Sequence, residues 1–413
     1  MSLDVNISEP DEFNCSELHS CIQSVANIKE IKDFTYHVDI VSGKADNYVA
    51  NVFRIIIEET GTDKELSVIV KTFINTSRQE VFRDLHKREV LAYNQVIDKF
   101  GALQNHISFE DRIVLPKFIF SSVEKNNEVI VLEDMMLSGF AVDNKIAKFE
   151  KLDYLQVRQI IRELAKFHGL SFVLENKEDD FESIRNDFED VVFSKKFLDK
   201  SKLRNYFVDC FQTSLNLINN KEVKKKLEMV KGSILELLRT YTKPRKYHNV
   251  FCHGDCWINN ILFKEDTEKI CFLDFQAMRY ASPATDLLYF LYICTDSEFR
   301  FEHFTALRND YYDSLEVFLD LFDIDASKIY PKVEFENDVR QLLPFGLLVA
   351  LLELKLVTTS PEDVISTDND DVESAEDIVT VSEGDDLYKL RVNDVIDESI
   401  ANGVLDQLLQ DLL

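Results

Sequence analysis

Positive charge is scarce in this chain. Its 47 Lys and Arg face 75 Asp and Glu, a formal charge of −28 at pH 7. Such a surface repels a phosphate backbone and an anionic bilayer, and no local basic cluster offsets it, so nucleic acid is not an expected partner. Glycine (10) and proline (7) are few. With 45% apolar and 30% charged residues the composition is globular rather than disordered. The seven cysteines are an odd number with no spacing that forms a disulfide framework. The first residues are polar and acidic and lack the basic and apolar regions of a secretory leader. No run reaches the length of a membrane span, and no repeat is present. These absences together point to a soluble protein of the reducing cytoplasm. Aromatic residues are abundant: 31 Phe and 14 Tyr supply core for two lobes in 413 residues.

The stretch that organises the rest is 250–289. It holds His253-Gly254-Asp255, then Asn260 five residues after the aspartate, then Leu273-Asp274-Phe275. That is the spacing of a kinase catalytic loop followed by its metal-binding aspartate. Upstream, residues 33–57 read as two strands around a turn at 42–47, and a third strand spans 66–73 with Lys71 late in it. Residues 78–100 read as a helix in which Phe82, Leu85, Glu89, Ala92 and Val96 share a face, Glu89 being its one charged member. Strands are expected at 113–120 and 128–132, and a connector between lobes at 133–136. A helix over 153–170 starts with an Asp153–Gln156 capping signal. Residues 180–245 are helical, short strands follow at 250–253, 260–263 and 270–275, and 286–356 is helical again. From 361 to 399 there are 14 acidic residues against Lys389 and Arg391, the first part reading as a solvated loop. The expected fold is α+β and two-lobed: a small β-rich N-lobe with a helical extension (1–135), a mostly helical C-lobe (136–360), an acidic flexible loop (361–386) and a docking C-terminal helix (387–413).

Phosphoryl transfer needs few groups but tight placement. Asn260 and Asp274 lie at the edges of short strands that can run side by side, and an amide with a carboxylate is a hard oxygen set suited to Mg²⁺. Asp255 shares a loop with Asn260 and fits the base that takes the acceptor's proton, with His253 bracing the loop. Any one of these aspartates alone is more often a turn or cap residue; the combination is the signal. Lys71, in an apolar strand, needs a partner to be buried, and Glu89 is the candidate. The pair would hold nucleotide phosphates. The 42–48 turn carries only Gly43, so it is a weak phosphate cradle, with Ser42 and the Asn47 amide as its candidate donors. Glu133 to Met135 would present backbone groups and a soft apolar surface to adenine. Asp286 is read as capping the next helix or bracing the loop, and His168 as a packing residue. Cys252, His253 and Cys256 lack the fourth ligand a structural zinc wants. The Tyr289 to Tyr292 run is read mainly as core, with some members lining an apolar acceptor pocket.

At these residues the chain resembles the ecdysteroid kinase-like (CHK kinase-like) family, within the choline kinase and aminoglycoside phosphotransferase group of the protein-kinase-like fold. The matching pieces are Gly43 with Asp46-Asn47-Tyr48, Lys71, Phe82, Glu89 with Tyr93, Leu132-Glu133-Asp134, and Leu164-Ala165 with Phe167-His168. The series continues in HGDCWINN at 253–260, LDFQ at 273–276 and YASPATDLLYF at 280–290. Gly169 stands where relatives commonly carry Ala, and the acidic stretch is expanded. The resemblance implies ATP-dependent phosphorylation of a hydroxyl on a small molecule, with a steroid or other lipophilic alcohol as acceptor. It implies Asp255 as base, Asn260 and Asp274 as Mg²⁺ ligands, and Lys71 on phosphate. No obligate protein partner is evident.

Three other readings stand beside this one. A choline- or aminoglycoside-type kinase would take a cationic acceptor in an aromatic or acidic cage. A catalytically silent nucleotide-binding module would have lost one of Lys71, Asp255, Asn260 or Asp274, and all four are present. A protein kinase usually carries a lysine where Trp257 stands and a glycine where Gln276 stands.

Overall fold

The computed structural model describes residues 15–40, 51–72, 79–142, 151–201, 203–265, 267–359 and 386–412. The N-terminal part is a five-stranded antiparallel sheet, ordered β1 (Phe34–Ile40), β2 (Asn51–Glu59), β3 (Glu65–Thr72), β5 (Val129–Glu133) and β4 (Phe118–Ser122). Helix α1 (Cys15–Ile28) packs Ile22, Val25 and Ala26 into the same apolar cluster as Phe53, Ile55, Val68, Val70 and Val131 of the sheet. Alternation puts those side chains on one sheet face and leaves Lys71, between Val70 and Thr72, for the other.

On that other face lies the helix expected at 78–100, which is interrupted. It runs as α2 (Gln79–Ala92), a π turn at Tyr93–Ile97, and α3 (Asp98–Leu103). All five of its predicted inward residues are buried, Glu89 among them. The strand expected from 113 starts only at Phe118. Before it, only Val114 makes a bridge, to Cys271, because β4 pairs with β5 alone and shifts register between Phe118 and Phe120. The 42–48 turn, with Ser42, Gly43 and Asn47, lies outside the described residues.

The C-terminal part begins with the two-residue strand β6 (Phe140–Ala141) and is otherwise mostly helical. Helix α4 (Tyr154–Lys177) opens on the expected capping box, Asp153 with Gln156. After it come α5 (Phe181–Asn186), α6 (Lys195–Ser201), α7 (Leu203–Leu217), α8 (Lys221–Glu228) and α9 (Ile234–Thr242). Four short strands then carry the motif: β7 (Val250–Cys252), β8 (Ile261–Lys264), β9 (Ile270–Phe272) and β10 (Arg279–Ala281). β7 pairs with β10, and β8 with both β6 and β9, all antiparallel. The remainder is α10 (Ala284–Cys294), α11 (Ser297–Asp320), α12 (Ala326–Ile329), α13 (Lys332–Thr358), α14 (Asp386–Ala401) and α15 (Val404–Asp411). The stretch after 387 thus forms two helices rather than one.

Helix α13 corrects one expectation. By length and hydropathy it could cross a membrane, although Glu353 and Lys355 interrupt the run in sequence. Most of it is buried within the C-terminal part instead. Gly346 lets α10 approach so closely that a Cβ there would lie 2.7 Å from the Tyr292 ring.

Candidate active site

Two hairpin edges and one strand meet at the site. Asn260 ends a short helical turn immediately before β8, and Asp274 follows β9 by two residues. Because Ile261 pairs with Phe272, the two residues flank the same end of the β8–β9 hairpin. A hydrogen bond from the Leu273 amide to the Asn260 carbonyl (2.9 Å) closes that end. Asp274 has φ 64° and ψ 73°, a left-handed conformation costly for a residue with a Cβ.

From the sheet, the Lys71 ammonium reaches both acids: Glu89 Oε2 at 2.7 Å and Asp274 Oδ1 at 2.9 Å. Burial alone would lower its pKa, but the charges of Asp274 and Glu89 outweigh that and raise it. Burial raises Glu89's carboxyl, with Lys71 opposing. The lysine, its expected partner and the expected metal-binding aspartate therefore form one contact, 203 residues apart in sequence for Lys71 and Asp274.

Asp255 sits beside them. Asn260 Nδ2 donates to its backbone oxygen (2.9 Å) and to Oδ2 (3.1 Å), while Tyr289 Oη donates to Oδ1 (2.8 Å). Burial, then the Asp274 charge, raises Asp255's pKa, and the Tyr289 and Asn260 hydrogen bonds oppose the rise. The aimed carboxylate can accept a proton from a hydroxyl placed against it. Asn260 spends its NH₂ on Asp255, which leaves its amide oxygen without a donor among the described residues. That oxygen and the Asp274 carboxylate are the hard donors Mg²⁺ prefers, so the residues present fit the ion.

The loop is braced from behind. His253 Nε2 donates to the Leu273 carbonyl (2.8 Å), and its Nδ1 accepts from the Asp255 amide (3.3 Å). With one nitrogen accepting, the ring is a neutral brace and not the base. Asp286 does not cap α10, whose cap is Pro283. It accepts instead from the His253 amide (2.5 Å) and the Gly254 amide (3.0 Å), and pairs with His168 Nε2 at 3.1 Å. Burial would raise its pKa, but the His168 hydrogen bond and the Arg279 guanidinium lower it. His168 is thus a hydrogen-bonded brace rather than mere packing, its Nδ1 meeting Tyr311 Oη at 2.8 Å. Gly254 has φ 87°, and a Cβ there would lie 2.0 Å from the Ala277 carbonyl oxygen.

The connector partly departs from expectation. Glu133 ends β5 and donates its amide to the Lys117 carbonyl (2.9 Å), so that N–H is not available to a base. Met135 buries its side chain with Phe140, Leu262 and Cys271, a soft apolar patch that Leu273, next to Asp274, packs against. Asp134 is spent on Ser67 (2.8 Å) and Arg54 (2.7 Å). Of Cys252, His253 and Cys256, set aside in the sequence for want of a fourth ligand, Cys252 donates to the Ser282 carbonyl (3.4 Å) and His253 to the Leu273 carbonyl (2.8 Å). His168, Cys252 and Asp286 do converge, but all three are buried and hydrogen-bonded.

Sequence reasoning left Tyr289 in the core and passed over Arg279, which is buried and donates to the Gly254 carbonyl (3.2 Å). The signal for Tyr289 was available: it lies three residues after Asp286, on the same helical face.

A model of the ecdysteroid kinase-like family matches residues 44–323. No protein of curated function matches the chain in sequence. Among solved structures, an ethanolamine kinase from Plasmodium vivax superposes with TM-score 0.42 at 11% identity, over 87% of this chain and 81% of that one. A microcompartment-associated aminopropanol kinase gives 0.41 at 11%, over 95% and 98%. A macrolide 2'-phosphotransferase type I gives 0.37 at 11%, over 81% and 91%. With the family match running from before β2 through α11 and covering Lys71, Asp255, Asn260 and Asp274, the chain belongs to the ecdysteroid kinase-like family of small-molecule kinases.

Proposed function

We propose that this enzyme transfers the γ-phosphate of ATP to a hydroxyl group of a small apolar acceptor, an ecdysteroid or another lipophilic alcohol. The observation that carries this reading is the convergence of Lys71, Glu89 and Asp274 beside the Asp255–Asn260 pair. In the reaction, Asp255 takes the hydroxyl proton as the acceptor oxygen forms its bond to the γ-phosphorus and the bond to the ADP oxygen breaks. Lys71, fixed by Glu89, holds the α- and β-phosphates. Asn260 and Asp274 would hold Mg²⁺, which when bound neutralises charge on the phosphate oxygens. Tyr289 and Asn260 aim the Asp255 carboxylate, and Met135 with its apolar neighbours receives the adenine. The reducing cytoplasm, where ATP is plentiful, suits this chemistry.

The test is transfer of labelled γ-phosphate to a panel of hydroxylated compounds, with the product identified by mass. Asp255→Ala should lower turnover by roughly 10²–10⁴-fold while MgATP binding persists. Turnover equal to wild type in that variant would remove Asp255 from the role of base.

A further inference from the structure

Next to Glu89 on α2, Arg88 reaches a different neighbour, the 187–190 segment between α5 and α6. Its guanidinium donates to the Asp187 carbonyl (2.6 Å) and the Glu189 carbonyl (2.8 Å), and lies over the Phe188 ring, 4.8 Å from its centre. One planar fork thus grips three consecutive residues. The same segment is fastened to the strands that flank the catalytic loop. The Phe188 carbonyl accepts from the Tyr280 amide of β10 (2.8 Å), and its ring meets Phe251 of β7 edge-on, with centres 5.1 Å apart.

The segment ends on Asp190. Its Oδ1 accepts from the Phe193 amide (2.7 Å), and its Oδ2 lies 3.5 Å from Arg279 Nη1, which also donates to the Gly254 carbonyl (3.2 Å). Gly254 immediately precedes Asp255. Arg279 is 1% exposed, and its Nε and Nη2 have no hydrogen-bond partner among the described residues. A buried guanidinium so incompletely matched contributes little to stability, and an apolar side chain of similar size would often serve as well. What an apolar side chain could not supply is the hold on the Gly254 carbonyl. Contact therefore runs unbroken from Lys71 through Glu89 and Arg88 of α2, the 187–190 segment and Arg279 to the loop of the base.

We propose that Arg88 and Arg279 are positioning residues that tie the helix fixing Lys71 to the loop bearing Asp255, so that loosening either end loosens the other. The inference rests on the kinase reading above for its purpose: phosphoryl transfer tolerates little error in the spacing between the phosphate-holding lysine and the base. Both residues act through their neighbours, Arg88 on the 187–190 segment and Arg279 on Gly254. A tie of this kind is reciprocal, because a coupling free energy between two places is felt equally at each.

The test is hydrogen exchange of the full chain without ligand, read by mass spectrometry. Lysine keeps the charge at either position but cannot span two acceptors as the fork does. Arg88→Lys should speed exchange of the His253 and Gly254 amides about tenfold, and Arg279→Lys should do the same across residues 82–92, with α11 as an unmoved reference. Should Arg279→Lys not fold, Asp190→Asn loosens the same joint. Faster exchange confined to the mutated end overturns the proposal. So does an equal rise in α11, which would mark a general loss of stability. Release of ADP from MgATP, with water as acceptor, is the second readout. Each lysine variant should lower kcat about tenfold, and the double variant should lose little more, where independent residues would multiply to about 100-fold. Multiplied losses overturn the tie. A wild-type chain that neither binds MgATP nor releases ADP would instead strike the kinase reading, and the exchange measurement would still decide the tie.

Discussion

Asp286 offers the sharpest test of how the catalytic loop is held. Its two carboxylate oxygens receive two backbone N–H groups, from His253 and Gly254, and face the His168 ring. The side chain is fully buried, so water cannot replace it. Asp286→Asn keeps the shape but turns one oxygen into an NH₂. If the remaining oxygen keeps Gly254, the new N–H groups face the His253 amide, donor against donor. One stranded buried amide costs about 1–3 kcal/mol, and the change from charged to neutral acceptor weakens the surviving bond by about 1 kcal/mol. The expected loss is about 3 kcal/mol, a fall in melting temperature of about 3–4 °C for a chain of 413 residues at roughly 2 cal/mol/K per residue. Displacing the loop by about 1 Å should also cut phosphate transfer on the order of 10²-fold. Differential scanning calorimetry and the transfer assay measure the two effects on one preparation. An Asp286→Asn variant that melts within about 1 °C of wild type and transfers within about twofold would show that the amides do not depend on this acceptor.

Tyr289→Phe removes one hydrogen bond to the Asp255 carboxylate and should lower kcat about 10–100-fold with KM for MgATP nearly unchanged, as steady-state kinetics would read. Gly254→Ala combines a left-handed backbone with a Cβ 2.0 Å from the Ala277 oxygen. It should therefore abolish transfer and lower the yield of folded protein, checked by activity and size-exclusion chromatography. Glu353→Gln should stabilise the fold in a pH-dependent way. Below about 4.5 the native acid is protonated whether folded or unfolded, so the substitution changes nothing. Between there and about 8 only the folded state keeps its proton, and the cost of the native carboxyl grows until it is complete. Discounting for partial exposure, the gain above that range is about 2 kcal/mol, seen as a melting-point difference present at pH 8.5 and absent at pH 4.

The residues legible in the sequence were those whose roles are set by near neighbours. Asp255, Asn260 and Asp274 sit in one short span, so a loop and a hairpin suffice to gather them. Lys71 and Glu89 were legible for a different reason: each is a charge inside an apolar pattern, and each therefore demanded a partner. What escaped was decided by contacts distant in sequence. Tyr289 shares a helical face with Asp286, a local hint, but its reach to Asp255, 34 residues away, is set by the fold. Asp286, in a first turn, reads in the sequence as either a helix cap or a brace of the loop, and only the fold, which brings two amides against it, decides for the brace. The π turn at Tyr93–Ile97 likewise leaves the apolar spacing almost unbroken. Residues 113–117 carry a strand-like pattern but find no neighbouring strand to pair with beyond a bridge at Val114.

Helix α14 brings Leu390 and Arg391 to a cleft beside Trp257. During translation, Lys71 and Glu89 leave the ribosome early, and the catalytic loop follows, while this last wall is still unsynthesised. A nascent polypeptide can thus bring Lys71, Glu89 and Asp274 together before α14 closes the cleft beside Trp257, and errors in that late helix would reach the cleft while sparing that contact.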